Sequence, residues 1–163
     1  MYQLGHYGAA LLVYAPLGTV VGLAGYETAA IVGALACVAL STLPDCDHRI
    51  PGIEHRGPTH SVGFALFVGV GLAAVTAVLV GAPSPLAEVG FVAFAFVVGS
   101  LSIVSHLLAD ALTPMGIRPF WPVSKRHYTL SVTKAANPIA NYVLLGIGAG
   151  VGVVATIIVA TLG

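Results

Sequence analysis

Six histidines and three aspartates are the side chains best suited to chemistry here, and they are bunched rather than scattered. They fall in Gly5-His6, Pro44-Asp45-Cys46-Asp47-His48, His55-Arg56-Gly57-Pro58-Thr59-His60 and Ser105-His106-Leu107-Leu108-Ala109-Asp110, with His127 standing apart. Imidazole nitrogen mixed with carboxylate oxygen suits zinc, manganese or iron better than calcium or magnesium. His106 and Asp110 are four residues apart, which puts both on one helix face, and Ser102 extends that face by a turn. Taken alone, the pair reads equally well as a hydrogen-bonded tie between helices. Several carboxylates brought together repel one another unless cations compensate them. A divalent metal centre of one or two ions is therefore expected, zinc first, with manganese or iron as alternatives.

The elements that must position these groups are set by the solvent the chain requires. Hydrophobic residues make up 58% of the 163 and charged residues 7%, against about 25% charged in an ordinary soluble domain. With a mean hydropathy of +0.99, such a surface belongs in lipid. A bilayer core of about 30 Å takes about 20 helical residues to cross. Five stretches fit: Leu4 to Gly25, Thr28 to Leu43 (a short one), Ser61 to Val80, Ala87 to Leu112, and Pro138 to the C-terminus. The fold class is thus an all-α polytopic transmembrane helix bundle, and residues 1–163 form one domain. No basic segment precedes the first apolar run, so that span is expected to stay in the mature protein.

The connections divide into two kinds. Gly25-Tyr26-Glu27 and Gly81 to Pro85 are tight turns rich in helix breakers, whereas Pro44 to His60 and Thr113 to Asn137 are long. Five crossings put the N-terminus and both long loops on one side. All the basic residues (Arg49, Arg56, Arg118, Lys125, Arg126 and Lys134) fall on that side, opposite only Glu27 and Glu88. By the positive-inside rule the N-terminus and both long loops are cytoplasmic. All six histidines and all three aspartates share that face.

Within the cluster, Asp45, Asp47, His60, His106 and Asp110 are the foremost ligand candidates, followed by His6 and His55. His48 is assigned to orienting a carboxylate or acting as a base beside Asp47. Thr59 sits where a helix N-cap opens the third span, and Arg56 is placed to clamp an anion there. The competing reading of Arg56 is a topology signal or a lipid-headgroup contact. Cys37 reads as a small packing residue and Cys46 as a minor ligand candidate. The loop from Pro114 to Tyr128 reads as an interfacial belt with a basic cluster. Gly146, Gly148, Gly150 and Gly152 offer two G-x-x-x-G spacings, suited to packing within the chain or to a homodimer contact. Zero net charge gives no ground for a nucleic-acid partner.

The ordered set Gly5-His6, Leu43 to His48, His55 to Ser61, and Ser105 to Pro114 through Trp121-Pro122 resembles the YdjM-like family. That family is described as LexA-binding, inner-membrane-associated metal-dependent hydrolases. The resemblance runs from His6 to Pro122. It implies a multi-pass protein of the prokaryotic inner membrane with a metal-dependent hydrolase site. Through the family's likeness to zinc-dependent phospholipase C, it also implies a phosphoester or lipid-headgroup substrate. Matched by motif position, His6, Asp45, Asp47, His55, His60, His106 and Asp110 form the implied metal site; Asp47, His48 and Arg56 are the catalytic candidates that the reading of the residues adds. Cys46 departs from the aliphatic residue usual at its position.

Three alternatives belong to other classes. A histidine-nucleophile phosphatase lacks here its accompanying basic and glycine-histidine motifs. A transporter or a non-enzymatic metal-binding bundle is the other reading, but the polar residues sit at one face instead of lining a path. The H-E-x-x-H and G-x-S-x-G patterns are absent.

Overall fold

The computed structural model describes residues 1–49 and 56–163. His55, one of the expected ligands, lies outside the described residues. Among those described, five helices are long and apolar enough to cross a membrane. They are built on α1 (Gln3–Leu23), α2 (Glu27–Leu40), α3 (Val62–Leu79), α4 (Pro85–Ala111) and α5 (Pro138–Leu162), the second span running on from α2 to cover Glu27–His48. The short second span continues past α2 in a 3-10 helix, Leu43–Arg49, which carries Asp45 and Asp47.

Helix starts follow from capping chemistry. Ser84 and Asn137 each precede a proline at the first helical turn, and their side chains accept from free backbone N–H groups (Ala87, and both Ile139 and Ala140). At α3 the cap is Ser61, whose hydroxyl accepts from Phe64 N at 3.1 Å, and not Thr59 as the sequence suggested. The N–H of Val62 is taken as well, by the carbonyl of Pro119 at 2.8 Å. Two of the first three N–H groups of α3 are therefore taken by the chain itself.

α1 packs along α5, and α3 along α4, while α1 and α4 also meet each other and α2. At the α1–α5 crossing, Gly8 and Gly148 touch backbone to backbone. A Cβ on Gly148 would lie 2.1 Å from the Gly8 carbonyl oxygen. Gly148 thus serves packing within the chain, whereas nothing lies within 4 Å of where Gly146, Gly150 or Gly152 would carry a Cβ. Cys37 is fully buried among Ala10, Tyr14 and Val98, in the packing role expected of it, and Cys46 is exposed.

The long loop after α4 folds back over that helix's C-terminus. Leu130 N donates to Ala111 O, and both Val132 N and Thr133 N donate to Leu112 O. These bonds satisfy carbonyls that a helix end leaves without partners. Gly116 makes the reversal possible. Its φ is +51°, and a Cβ there would meet the Tyr128 carbonyl oxygen at 2.3 Å.

Candidate metal centre

Four elements deliver the site: the first turn of α1 (His6), the 3-10 helix after α2 (Asp45, Asp47), the turn before α3 (His60) and the last two turns of α4 (His106, Asp110). His6, His60 and His106 are completely buried, and Asp47 and Asp110 almost so. Asp45, its side chain 34% exposed, is the member that reaches the surface.

Hydrogen bonds orient two of the imidazoles. His106 Nδ1 is 2.7 Å from the carbonyl of Ser41; a carbonyl only accepts, so this nitrogen carries the proton and Nε2 is bare. Thr59 Oγ1 donates to Asp47 Oδ2 at 2.8 Å and so accepts from His60 Nδ1 at 3.0 Å, which in the neutral ring puts the lone pair on His60 Nε2 as well. Those two Nε2 atoms face each other at 3.1 Å. At that separation either one nitrogen keeps a proton and donates it to the other, or a cation satisfies both lone pairs.

The carboxylates flank this pair. Asp45 Oδ1 is 3.6 Å from both His60 Nε2 and His106 Nε2, while Asp110 Oδ2 is 3.6 Å from the first and 3.7 Å from the second. For comparison, donors about 2.0–2.1 Å from a tetrahedral zinc stand about 3.3–3.4 Å apart. His6 Nε2 lies 3.8 Å from Asp45 Oδ2 and 3.7 Å from Asp110 Oδ1. Two overlapping sets are compact enough to close round an ion: His6, Asp45 and His106; and His60, His106 and Asp110.

The remaining expected residues take other positions. Asp47 lies behind His60, with Oδ2 3.4 Å from His60 Nδ1, and also accepts from Arg56 N at 3.3 Å. Among the described residues it stands outside both compact sets, on the far side of His60. Arg56 is buried, with a left-handed φ of 61° that a non-glycine residue adopts only at a cost. This backbone turn lets its N–H reach Asp47 while its Nη2 pairs with Asp110 Oδ2 at 2.9 Å. Nη1 donates to Gly116 O at 2.8 Å and to Thr113 Oγ1 at 3.3 Å. The guanidinium thus grips a site carboxylate and the loop after α4, where the sequence suggested a bound anion. His48 is exposed at the end of the 3-10 helix, and His127 is bonded to the Met115 carbonyl, away from the cluster.

Several supporting residues escaped the sequence reading. The Ser41 carbonyl sets the His106 tautomer, and Thr113 helps to hold Arg56. Asn141 is buried near the start of α5. It accepts from Tyr2 N at 3.0 Å and donates to the carbonyls of Ala135 and Asn137, tying the segment that carries His6 to α5. An amide inside an apolar span was the one available signal for Asn141. The amino nitrogen of Met1 also bonds Asp110 Oδ1.

Fold and site together define a polytopic α-helical membrane protein with a buried His/Asp cluster at one end of its bundle. The model of the YdjM inner membrane protein family matches residues 1–162, and the chain belongs to that family. It is accordingly a multi-pass inner membrane protein. No curated protein and no solved structure matches it.

Proposed function

We propose that the chain is a membrane-bound metal-dependent hydrolase, with zinc as the leading ion and phosphoesters or lipid headgroups as substrates. The observation that carries this reading is the convergence of two imidazole nitrogens, His60 Nε2 and His106 Nε2, 3.1 Å apart between two carboxylates. His60, His106, Asp45 and Asp110 would hold the ion. When bound, it supplies Lewis acidity, stabilising charge on a phosphoryl oxygen and lowering the pKa of a water. Asp47, through His60, and the Ser41 carbonyl, through His106, fix ring orientation and strengthen the ligands. Arg56 keeps Asp110 in place. Substrate would approach past Asp45, the exposed edge of the cluster. The concentration of every basic residue at this end of the bundle supports a cytoplasmic location for it. A reporter fused after Ala82 should then be non-cytoplasmic.

The test is metal analysis of the purified chain, coupled to a chelator-controlled screen of phosphoester and phospholipid substrates. Bound zinc and chelator-sensitive turnover are expected, and both should be lost in His106→Ala. A chain that binds no transition metal would sink the proposal. The second reading, a non-enzymatic metal-binding bundle, is favoured by the near-complete burial of every donor except Asp45. Bound metal without turnover on any substrate would select it.

A further inference from the structure

From Thr113 to Asn137 the loop after α4 has no acidic residue, yet it holds four of the chain's six basic ones, Arg118, Lys125, Arg126 and Lys134. Its middle is a closed lobe. Ile117 and Tyr128 exchange both backbone hydrogen bonds, each at 2.9 Å. Inside that closure Trp121 N donates to Arg118 O, Ser124 N to Phe120 O, and Arg126 N to Ser124 Oγ. The Phe120 ring meets the Tyr128 ring edge-on, and the Arg126 guanidinium lies 5.2 Å from the centre of that same Tyr128 ring. Backbone and side chains together hold the lobe in one shape.

The lobe has an apolar tip and a basic flank. At the tip Val123 is 93% exposed, and Phe120 and Pro122 are exposed on either side of half-buried Trp121. Lys125 and Arg126 follow directly and are exposed as well. A contiguous apolar tip rimmed by charge marks a binding surface. What it meets follows from where the lobe is tied. Val62 N, at the start of α3, donates to Pro119 O, while Leu130 N and Val132 N donate to the end of α4, at Ala111 O and Leu112 O. The lobe is thereby held at the level where α3 begins and α4 ends, which is the headgroup layer of a bilayer. Leu130 and Val132 are themselves exposed, bonded to a helix end whose Leu108 faces outward. Aromatic and apolar side chains beside lysine and arginine at that level match the boundary between acyl chains and anionic headgroups.

We infer that the lobe Ile117–Tyr128 docks anionic phospholipid: Phe120, Trp121 and Val123 enter the acyl–headgroup boundary, and Lys125 and Arg126 hold headgroup phosphate. Positive charge with no carboxylate beside it favours anionic over zwitterionic lipid, by about 5-fold for each basic residue close to the surface. The foot of the lobe also touches the metal centre's framework. Gly116 O accepts from Arg56 Nη1, and Arg56 Nη2 pairs with Asp110. Lipid held on the lobe thus stands at the same end of the bundle as the His/Asp cluster. The docking surface is independent of whatever chemistry that cluster performs.

Trp121 is the chain's one tryptophan, so its fluorescence reports on the lobe alone. The full chain is reconstituted in mixed vesicles of phosphatidylcholine and phosphatidylglycerol, with bromine on the acyl chains of one lipid or of the other. At equal mole fraction, brominated phosphatidylglycerol should quench Trp121 several-fold more than brominated phosphatidylcholine. Replacing both Lys125→Gln and Arg126→Gln should lower the relative affinity for phosphatidylglycerol by up to about 25-fold, with quenching by brominated phosphatidylcholine retained. Equal quenching of the wild type by both lipids overturns the anionic selectivity. An excess that survives the double substitution moves the lipid site off the lobe and overturns it too. No quenching by either lipid overturns the docking altogether: Trp121 open to aqueous iodide would then place the lobe in water, and Trp121 shielded from iodide would give it to a protein partner.

Discussion

From Pro85 to Phe94, α4 turns apolar side chains outward: Leu86 is 82% exposed and Val89 66%. From Ala95 to Asp110 the same helix buries Val98, Ser102, Ile103, Ser105, His106, Ala109 and Asp110, with Leu108 still facing out. The first stretch carries one ionisable group, Glu88, in its exposed first turn. The second carries polar groups in the bundle interior, most of them bonded. Ser102 donates to Gly99 O, Ser105 to Ser102 O, and His106 to Ser41 O. Lipid accepts apolar side chains from one isolated helix face, but it cannot solvate an imidazole or a carboxylate. The polar half of α4 therefore exists only where α1, the segment after α2 and the turn before α3 close round it.

The sharpest break of this contrast is His106→Ala. It should reduce zinc retention and any metal-dependent activity by more than about 100-fold, since even the outer partners of ligands are worth roughly 10–100-fold. Metal analysis after gel filtration checks it, and undiminished zinc would detach the polar half from metal binding. Arg56→Ala follows, because it strips Asp110 Oδ2 of its buried positive partner. Breaking a buried ion pair costs about 3–5 kcal/mol, which thermal unfolding in detergent should register. Arg56→Lys, which keeps the charge but not the fork to Gly116 and Thr113, should fall between the two.

A smaller effect is expected of Asp47→Asn. It should weaken zinc binding by about 10-fold to 100-fold with little change in unfolding temperature, since Asp47 acts through His60. A titration of apoprotein against a competing chelator decides this, and unchanged affinity would remove Asp47 from the support of the centre. The smallest effects lie on α5. Gly148→Ala, which forces a Cβ against the Gly8 carbonyl, should cost about 1–3 kcal/mol. Gly150→Ala should stay within about 0.5 kcal/mol. A larger penalty at Gly150, with a loss of oligomer on gel filtration, would point to a second copy packed on that face.

Much of this was legible before any coordinates. The spans were readable because a helix in lipid must be apolar along its whole length, and the structure shifts their ends by only a few residues. The gathering of His6, Asp45, His60, His106 and Asp110 was readable because an even number of crossings separates their segments and returns each to the same side. The division of labour within the cluster was not. Asp45 and Asp47 are two residues apart, yet one faces three imidazole Nε2 atoms while the other stands behind His60. Thr59 was the expected cap of the third span, yet Ser61 took the role while Thr59 turned to Asp47.

By itself, then, the sequence determined that this is a membrane bundle and which end of it carries the polar chemistry. Solvation decides both, and solvation is a property of composition and spacing along the chain. Only the tertiary structure decided that Arg56 grips Asp110, that Ser41 sets the proton of His106, and that His6 lies flat on His106 in a separate plane. Those contacts join residues many tens of positions apart. Their geometry depends on helix rotation and loop path to within a fraction of an ångström, which no local pattern encodes.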